Sequence, residues 1–103
     1  MLQVDIQTNG FELTPALEDL VEKTSRKIAQ VDDRITLLTA SLAIQKRKDD
    51  NGCSVTYKVD RPGKNILVKE TGDDLYQVLS QIAQAVVREV RKEKEKERQT
   101  AHP

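Results

Sequence analysis

Aromatic residues, cysteine and histidine are scarce in this chain of 103 residues, and tryptophan is missing altogether. With Cys53 as the one cysteine, no disulfide can form within the chain, and with His102 as the one histidine, a zinc site is not expected. The aromatic residues are Phe11, Tyr57 and Tyr76. They are too few for the paired aromatic platform on which single-strand RNA-binding domains stack bases.

Long apolar runs are also missing. The longest uncharged stretches, 35–45 and 75–87, contain polar residues and fall short of the roughly 20 apolar residues that a membrane helix requires. The N-terminus has neither the basic region nor the apolar region of a secretory signal peptide. We therefore expect a cytoplasmic protein without a membrane partner, folded as one small domain around a single core.

Charge is balanced over the whole chain but not along it. The sequence contains 17 basic and 17 acidic residues. Residues 1–45 carry four basic and seven acidic groups, whereas residues 46–103 carry thirteen and ten. A neutral total argues against nucleic-acid binding, but the basic excess of the second half makes local patterning more informative than the total.

The pattern of apolar residues predicts the order β-α-β-β-β-α. Alternation from Leu2 to Gln7 indicates a half-buried strand, and Thr14 followed by Pro15 marks the start of a helix over about 15–30. The buried stripe of this helix is expected to contain Leu17, Leu20, Val21, Thr24 and Ile28. Three further strands are predicted over 35–46, 53–60 and 65–70.

The connections between these elements determine the sheet. The charged loop 46–52 ends in the hairpin signal Asn51-Gly52, and 61–64 is a second tight turn, so both of these strand pairs should be antiparallel. The first crossover contains a helix and should make the first two strands parallel. We expect an α+β fold: a four-stranded mixed sheet with two helices on one face and a solvated opposite face bearing Ser54, Thr56 and Lys58.

The second helix begins near Leu75 after the capping segment 71–74, and its charges are segregated. Its core-facing stripe contains Leu75, Leu79, Ile82, Val86 and Val90. Glu89, Glu93 and Glu97 continue this stripe, which suggests that the last turns overhang the domain as a solvated helix end. Basic residues gather on the opposite side: Arg88, Arg91, Lys92, Lys94, Lys96 and Arg98.

Two interpretations of these basic residues stay open from the pattern alone. In the first, they solvate the helix and pair with nearby acids, as Lys92 would with Glu89, for a few tenths of a kcal/mol per pair. Alternatively, they form a surface that follows the phosphates of folded RNA. Arg61 and Lys64 in a turn, together with residues 46–48, would extend that surface.

No pattern indicates catalysis, a metal site, a cofactor or a small-molecule substrate. The acidic pairs Asp32-Asp33, Asp49-Asp50 and Asp73-Asp74 fall in predicted turns or at a helix start, where acids cap and solvate the backbone. Cys53 begins a strand without a nearby base, which is typical of a packed thiol. We expect a protein that is not an enzyme.

Several motifs together resemble the short ribosome hibernation-promoting factors, also called ribosome-associated inhibitors or sigma-54 modulation proteins. They are Glu12-Leu13-Thr14-x-Ala16-Leu17 at the first helix, Asp33-Arg34-Ile35 before the second strand, and Gly72-x-Asp74-Leu75-Tyr76 at the second helix. The resemblance covers nearly the whole chain. It implies the β-α-β-β-β-α order of a fold similar to a double-stranded-RNA-binding domain.

The resemblance also implies a function. Members of that family bind the small ribosomal subunit in the channel for messenger and transfer RNA, and they silence translation in stationary phase or stress. The positions here that match rRNA-binding positions of the family are Lys27, Arg88, Lys92, Lys94, Lys96 and Arg98, with Lys23 and Arg91 as further candidates. Tyr76 and Asp74 match the start of the second helix and are expected to pack and cap.

We expect one ribosome-binding domain over 1–92 and a charged helix end with a flexible tail over 93–103. The end at Pro103 resembles the short type of the family, which either promotes ribosome dimers or blocks single ribosomes, and the protein is expected to be monomeric off the ribosome. The alternative is a regulatory module that binds a protein partner through its exposed sheet face.

Overall fold

The computed structural model describes residues 2–46 and 51–100, and the order of elements within them is the predicted one. The elements are β1 (Gln3–Asn9), α1 (Pro15–Ala29), β2 (Leu37–Lys46), β3 (Asn51–Asp60), β4 (Ile66–Gly72) and α2 (Leu75–Thr100). Residues 47–50 and 101–103, which hold the acidic pair Asp49-Asp50 and His102, lie outside the described residues.

The four strands form one mixed sheet in the order β1-β2-β3-β4. β1 pairs with β2 in parallel, and the other two pairs are antiparallel. The register aligns apolar residues of all four strands in rows across the sheet, such as Val4, Leu38, Val59 and Ile66. Because strand side chains alternate between faces, these rows leave one apolar face for the helices. The predicted α+β fold is confirmed.

One detail of the hairpin between β2 and β3 differs from the prediction. Asn51 and Gly52 do not belong to the connecting loop; they lie in β3 and pair with Lys46 and Gln45. The extended pairing of the two strands has overridden the local turn preference of the Asn-Gly pair.

The first helix begins as its sequence predicts. Thr14 has extended backbone angles, and its hydroxyl oxygen accepts a hydrogen bond from the Leu17 amide at 3.2 Å, while Pro15 occupies the first turn. The buried face contains Leu17, Val21 and Ile28 as expected, whereas Leu20 and Thr24 are only partly buried, and it also contains Ser25. This serine is buried in spite of its hydroxyl because that hydroxyl is hydrogen bonded on both sides.

The hydroxyl pair of Ser25 and Tyr57 joins α1 to the sheet inside the core. Tyr57 is completely buried, and its hydroxyl oxygen lies 2.9 Å from that of Ser25, which in turn donates to the Val21 carbonyl at 2.7 Å. Because the serine hydroxyl has one proton, the tyrosine donates to the serine. Burial raises the pKa of Tyr57, so the phenol stays protonated.

The second helix packs on the same face of the sheet and makes contacts with β3, β4 and α1. The Asp74 carboxylate accepts a hydrogen bond from the Tyr76 amide at 3.0 Å, which confirms the predicted cap. Of the predicted core stripe, Leu79, Ile82, Val86 and Val90 are buried and Leu75 is partly buried, and Val78 is buried in addition. Among the described residues, no helix combines the length and the apolar character required to cross a membrane.

Candidate nucleic-acid interface

A groove runs between α1 and α2 on the surface of the helical layer. Its central part is a cleft of about 680 Å³. The cleft is lined by Lys27, Ile28, Ala83, Gln84, Val87, Arg88, Arg91, Lys92 and Glu95. Ile28, Ala83 and Val87 form an apolar floor, and the charged side chains stand at the rim. The centre of the groove therefore carries four cationic side chains and one carboxylate.

Two shallower depressions extend the groove in both directions. Towards the end of α2, one is lined by Gln30, Val31, Arg91, Lys94, Glu95 and Arg98. Towards its start, the other is lined by Leu20, Thr24, Lys27, Tyr76, Leu79, Ser80, Ala83 and Gln84. Because neighbouring depressions share residues, the three form one continuous surface, called here the interhelical groove.

The structure brings most of the predicted rRNA-binding residues together in this groove. Lys27, Arg88, Arg91 and Lys92 line its centre, and Lys94 and Arg98 line the end nearer the C-terminus. Two predicted residues do not line it. Lys23 lies on α1, where its ammonium is 4.0 Å from Asp19. Lys96 lies on α2, with its ammonium 3.5 Å from Glu93.

The cations of the groove differ in whether their charged groups already have a partner in the structure. Lys92 lies 3.8 Å from Glu89, and Lys94 donates a hydrogen bond to the Val31 carbonyl at 2.8 Å. Within residues 2–46 and 51–100, no ion pair is formed by Lys27, Arg88, Arg91 or Arg98. These exposed charges are therefore available to an anionic ligand.

A second group of charged residues lies at the turn end of the sheet, where Asp32 and Arg61 are buried, Glu97 is partly exposed and Arg34 is exposed. We call Asp32, Arg34, Arg61 and Glu97 the anchor cluster. Arg61 donates to Asp32 from its Nε and Nη2 at 3.1 and 2.9 Å, and it donates to Glu97 from its Nη1 and Nη2 at 2.7 and 3.0 Å. Arg34 also contacts both acids, at 3.0 Å for Asp32 and 2.9 Å for Glu97. Four charges thus neutralise one another within one network.

The ionisation of the anchor cluster follows from these contacts. Burial alone would raise the pKa of Asp32, but hydrogen bonds from Arg34 and Arg61 outweigh it and hold the pKa far below its usual range. Hydrogen bonds from Arg61, followed by those from Arg34, lower the pKa of Glu97 to about 2. Both carboxylates are therefore charged at neutral pH.

Arg61 was expected to extend the RNA-binding surface, and that expectation is wrong. Its side chain is 0% exposed and lies between two carboxylates. Gly63, in the same turn, has a φ of 88°, and a Cβ there would lie 3.2 Å from a Glu97 oxygen. The glycine lets the turn take this conformation while Glu97 approaches closely.

The last turns of α2 do not overhang the domain as solvated helix, which also corrects an expectation. Glu93 is largely buried and Glu97 contacts the turn through Arg61. The sequence did contain a signal for this arrangement: acids continued the apolar stripe at helical spacing. Since that stripe faces the body of the protein, buried acids on it require cationic partners, and Arg61 supplies one to Glu97 from outside the helix.

The open sheet face is polar, as predicted. Ser54 and Thr56 are partly exposed and Lys58 is exposed. Leu67 is the most exposed large apolar residue of the described chain, at 71%. Cys53 is buried, and its thiol donates to the Gly72 carbonyl at 3.3 Å, as expected of a packed residue. Within the described ranges, no group of His, Cys, Asp and Glu has the arrangement of a metal site.

Comparison with known proteins identifies similar sequences and folds. A family model described as sigma 54 modulation protein / S30EA ribosomal protein matches residues 4–98. A ribosome hibernation promoting factor from Azotobacter vinelandii is 25% identical over 96 residues, which cover 93% of this chain and 86% of that protein.

Two solved structures have the same fold. A ribosomal subunit interface protein from Coxiella burnetii aligns with a TM-score of 0.78 at 24% identity, covering 88% of this chain and 96% of the other. The N-terminal domain of Protein Y from Thermus thermophilus aligns with a TM-score of 0.71 at 22% identity and the same coverage.

Proposed function

Because the chain belongs to the sigma 54 modulation protein / S30EA ribosomal protein family, we propose that it is a ribosome hibernation factor that binds the small ribosomal subunit through its interhelical groove. The family resemblance noted in the sequence is thereby confirmed, and this family is described by association with the ribosome rather than by an enzymatic activity. The surface used, the subunit and the effect on translation are the content of the proposal.

The observation that carries the proposal is the position of four predicted cations around one cleft. Lys27 lies on α1, and Arg88, Arg91 and Lys92 lie on α2, so both helices contribute to one basic surface. Folded RNA offers closely spaced phosphates, and side chains fixed on two packed helices can neutralise several of them at once. The chain therefore does not need a net positive charge to bind RNA.

In the proposed mechanism, the protein silences translation by occupying a site on the ribosome and not by catalysing a reaction. The protein lies in the channel for messenger and transfer RNA in the cytoplasm of a starved or stationary cell, and translation stops while it stays there. No covalent step and no cofactor is needed. Release then depends on competition by translation factors and on the ionic conditions, because phosphate contacts weaken as salt increases.

Sedimentation of variants with small ribosomal subunits tests the proposal. The test variant reverses two exposed charges of the groove, Arg88→Glu and Arg91→Glu. The matched control reverses two exposed charges of the open sheet face, Lys58→Glu and Lys69→Glu. We expect the wild type and the control to sediment with the subunit at low salt, and the groove variant to remain at the top of the gradient.

The opposite pattern would contradict the proposal and support a protein-binding sheet face.

Loss of wild-type binding at higher salt is also expected, with a slope of log K against log salt of roughly −0.7 to −0.9 per phosphate contact. Mixing the protein with intact ribosomes in the same gradients separates two modes of silencing. A ribosome-dimer peak indicates dimerisation, and an unchanged peak containing the protein indicates blocking of single ribosomes.

A further inference from the structure

The centre of the interhelical groove has an apolar floor that phosphate binding does not require. Ile28 is completely buried beneath it, and Ala83 and Val87 are partly buried. Phosphates are bound by the charges and hydrogen bonds of basic side chains, which a flat basic surface would also supply. An apolar floor between Lys27 on one side and the cations of α2 on the other instead suits a ligand that has both an apolar face and an anionic edge.

The rim adds polar groups at the positions such a ligand needs. Lys27 stands on the α1 side, and Arg88 and Arg91 stand on the α2 side. Gln84 is exposed and also lines the cleft, and its amide can both donate and accept hydrogen bonds. Arginine planes also stack on nucleobases, which offsets the scarcity of aromatic side chains in this chain.

We propose that the centre of the groove holds one unpaired nucleotide of ribosomal RNA. The base lies against Ala83 and Val87 with its edge at Gln84, and Lys27 and Arg88 bind the neighbouring phosphates. This inference rests on the proposed function and specifies how the same surface selects its RNA. The cleft of about 680 Å³ lies within the range of about 300 to 1,000 Å³ that is usual for sites of small organic ligands.

The chemistry of the groove favours an unpaired nucleotide over the alternatives. A double helix stacks its base faces inside, so it would leave the apolar floor unused. An acidic protein segment would match the cationic rim. However, it would place backbone and carboxylate groups, rather than a flat apolar group, against the floor of the groove. Glu95 is the one acid lining the centre, so a phosphate chain can follow the remaining rim without repulsion.

Filling the floor without changing any charge tests this inference. Ala83→Leu places a larger side chain in the groove, and Ala16→Leu makes the same change at an exposed position of α1 outside it. We expect Ala83→Leu to lower the affinity for the small subunit by tenfold or more, with the salt slope unchanged. Ala16→Leu should bind as the wild type does. Equal binding by all three proteins would overturn the inference.

This result is distinguishable from failure of the proposed function. If the wild type does not bind the subunit, the function itself fails. If the wild type binds and the groove charge reversals abolish binding while Ala83→Leu does not, the surface is correct and the nucleotide site alone is wrong. Thermal denaturation of Ala83→Leu shows whether its helices still pack.

Two further measurements identify what the centre of the groove contacts. Chemical probing of the small subunit should show an unpaired base protected by the wild type and exposed with Ala83→Leu. Reduced binding by Ala83→Leu without any base losing protection would indicate contact with a ribosomal protein and overturn the inference.

The second measurement uses the methyl NMR signals of Ile28, Ala83 and Val87. They should shift when a short single-stranded RNA is added, and shift much less with the same RNA lacking the central base. Equal shifts would mean that phosphates alone are bound. Saturation by free uridine monophosphate at the same concentration as the RNA would assign the site to a free nucleotide, which also contradicts the inference.

Discussion

The anchor cluster and the interhelical groove use the same residue types for opposite purposes, and α2 contributes to both. In the anchor cluster, Arg61 is fully buried with two carboxylates within about 3 Å. In the groove, Arg88 and Arg91 are exposed and form no ion pair among the described residues. Arginine by itself therefore does not indicate an RNA-binding surface. The positions of the neighbouring carboxylates decide whether its charge stabilises the fold or is available to a ligand.

The two regions are connected through α2. Glu97 attaches its last turns to the loop that holds Arg61, and the cations Arg91, Lys94 and Arg98 lie on those same turns. The long side chains of the groove thus project from a helix end that the anchor cluster fixes in place. Fixing the scaffold lowers the ordering cost of binding, because fewer backbone conformations are lost.

Removing one arginine from each region should give the largest difference in stability between the two regions. Arg61→Met removes the buried cation that lies between Asp32 and Glu97, and we expect a loss of about 3 to 5 kcal/mol in the free energy of unfolding. Arg88→Met removes an exposed charge and should change the free energy of unfolding by no more than about 0.5 kcal/mol. Denaturant unfolding of both variants measures the difference. Similar losses for the two would contradict the assignment of Arg61 to the fold.

Lowering the pH should also destabilise the fold, because it protonates the carboxylates of the anchor cluster. The pKa of Asp32 is lowered in the folded protein, and that of Glu97 is lowered from 4.5 to about 2. A carboxylate with a lowered folded pKa contributes stability above its unfolded pKa and loses it as the pH falls towards the folded value. We therefore expect unfolding free energy to decline from about pH 5 towards pH 2. The decline should be shallower in Arg61→Met, where the pKa values of both acids move closer to normal.

Two glutamates of α2 test whether the anchor cluster supports RNA binding by the groove. Glu95 lines the groove and Glu97 belongs to the anchor cluster. Glu95→Gln and Glu97→Gln each remove one negative charge, so a model based on charge alone predicts tighter RNA binding for both. We expect Glu95→Gln to bind the small subunit a few times more tightly and Glu97→Gln to bind a few times more weakly. Faster amide exchange over residues 91–98 in Glu97→Gln should accompany that loss.

An equal gain in affinity for the two glutamine variants would show that the anchor cluster does not support binding. The anchor cluster would then serve stability alone. The comparison is well matched because the substitutions are identical and two positions apart on one helix.

The elements of the fold could be read from periodicity because burial imposes a regular spacing on apolar residues. The alternation of β3 and the stripe of α2 needed no knowledge of distant contacts. Periodicity placed Glu97 on the inward stripe of α2, but it could not identify the partners of this acid, since Asp32, Arg61 and Glu97 come from three separate segments. The amino-acid composition of a turn is the same whether its charged residues are solvated or form ion pairs. Their pairing depends on how the turns meet after folding, which local sequence does not specify.

The same limit applies to the candidate site. The basic residues of α2 were apparent from helical spacing, and most of them do line one groove. The floor made by Ala83 and Val87 was not apparent, because it exists only where α1 approaches α2. Ser25 was missed for a related reason: a serine on an apolar stripe becomes favourable only when Tyr57 supplies its partner.

The smallest expected effect concerns two lysines of α1. Lys27 lines the groove, whereas Lys23 lies outside it with its ammonium 4.0 Å from Asp19. Lys27→Gln should weaken binding to the small subunit several-fold and reduce the magnitude of the salt slope by about 1, because one phosphate contact is lost. Lys23→Gln should change affinity by less than about twofold, since exposed pairs of this kind contribute little. If Lys23→Gln instead equals Lys27→Gln in both measures, the RNA extends over the whole outer face of α1, and the groove is the centre of a broader surface rather than its boundary.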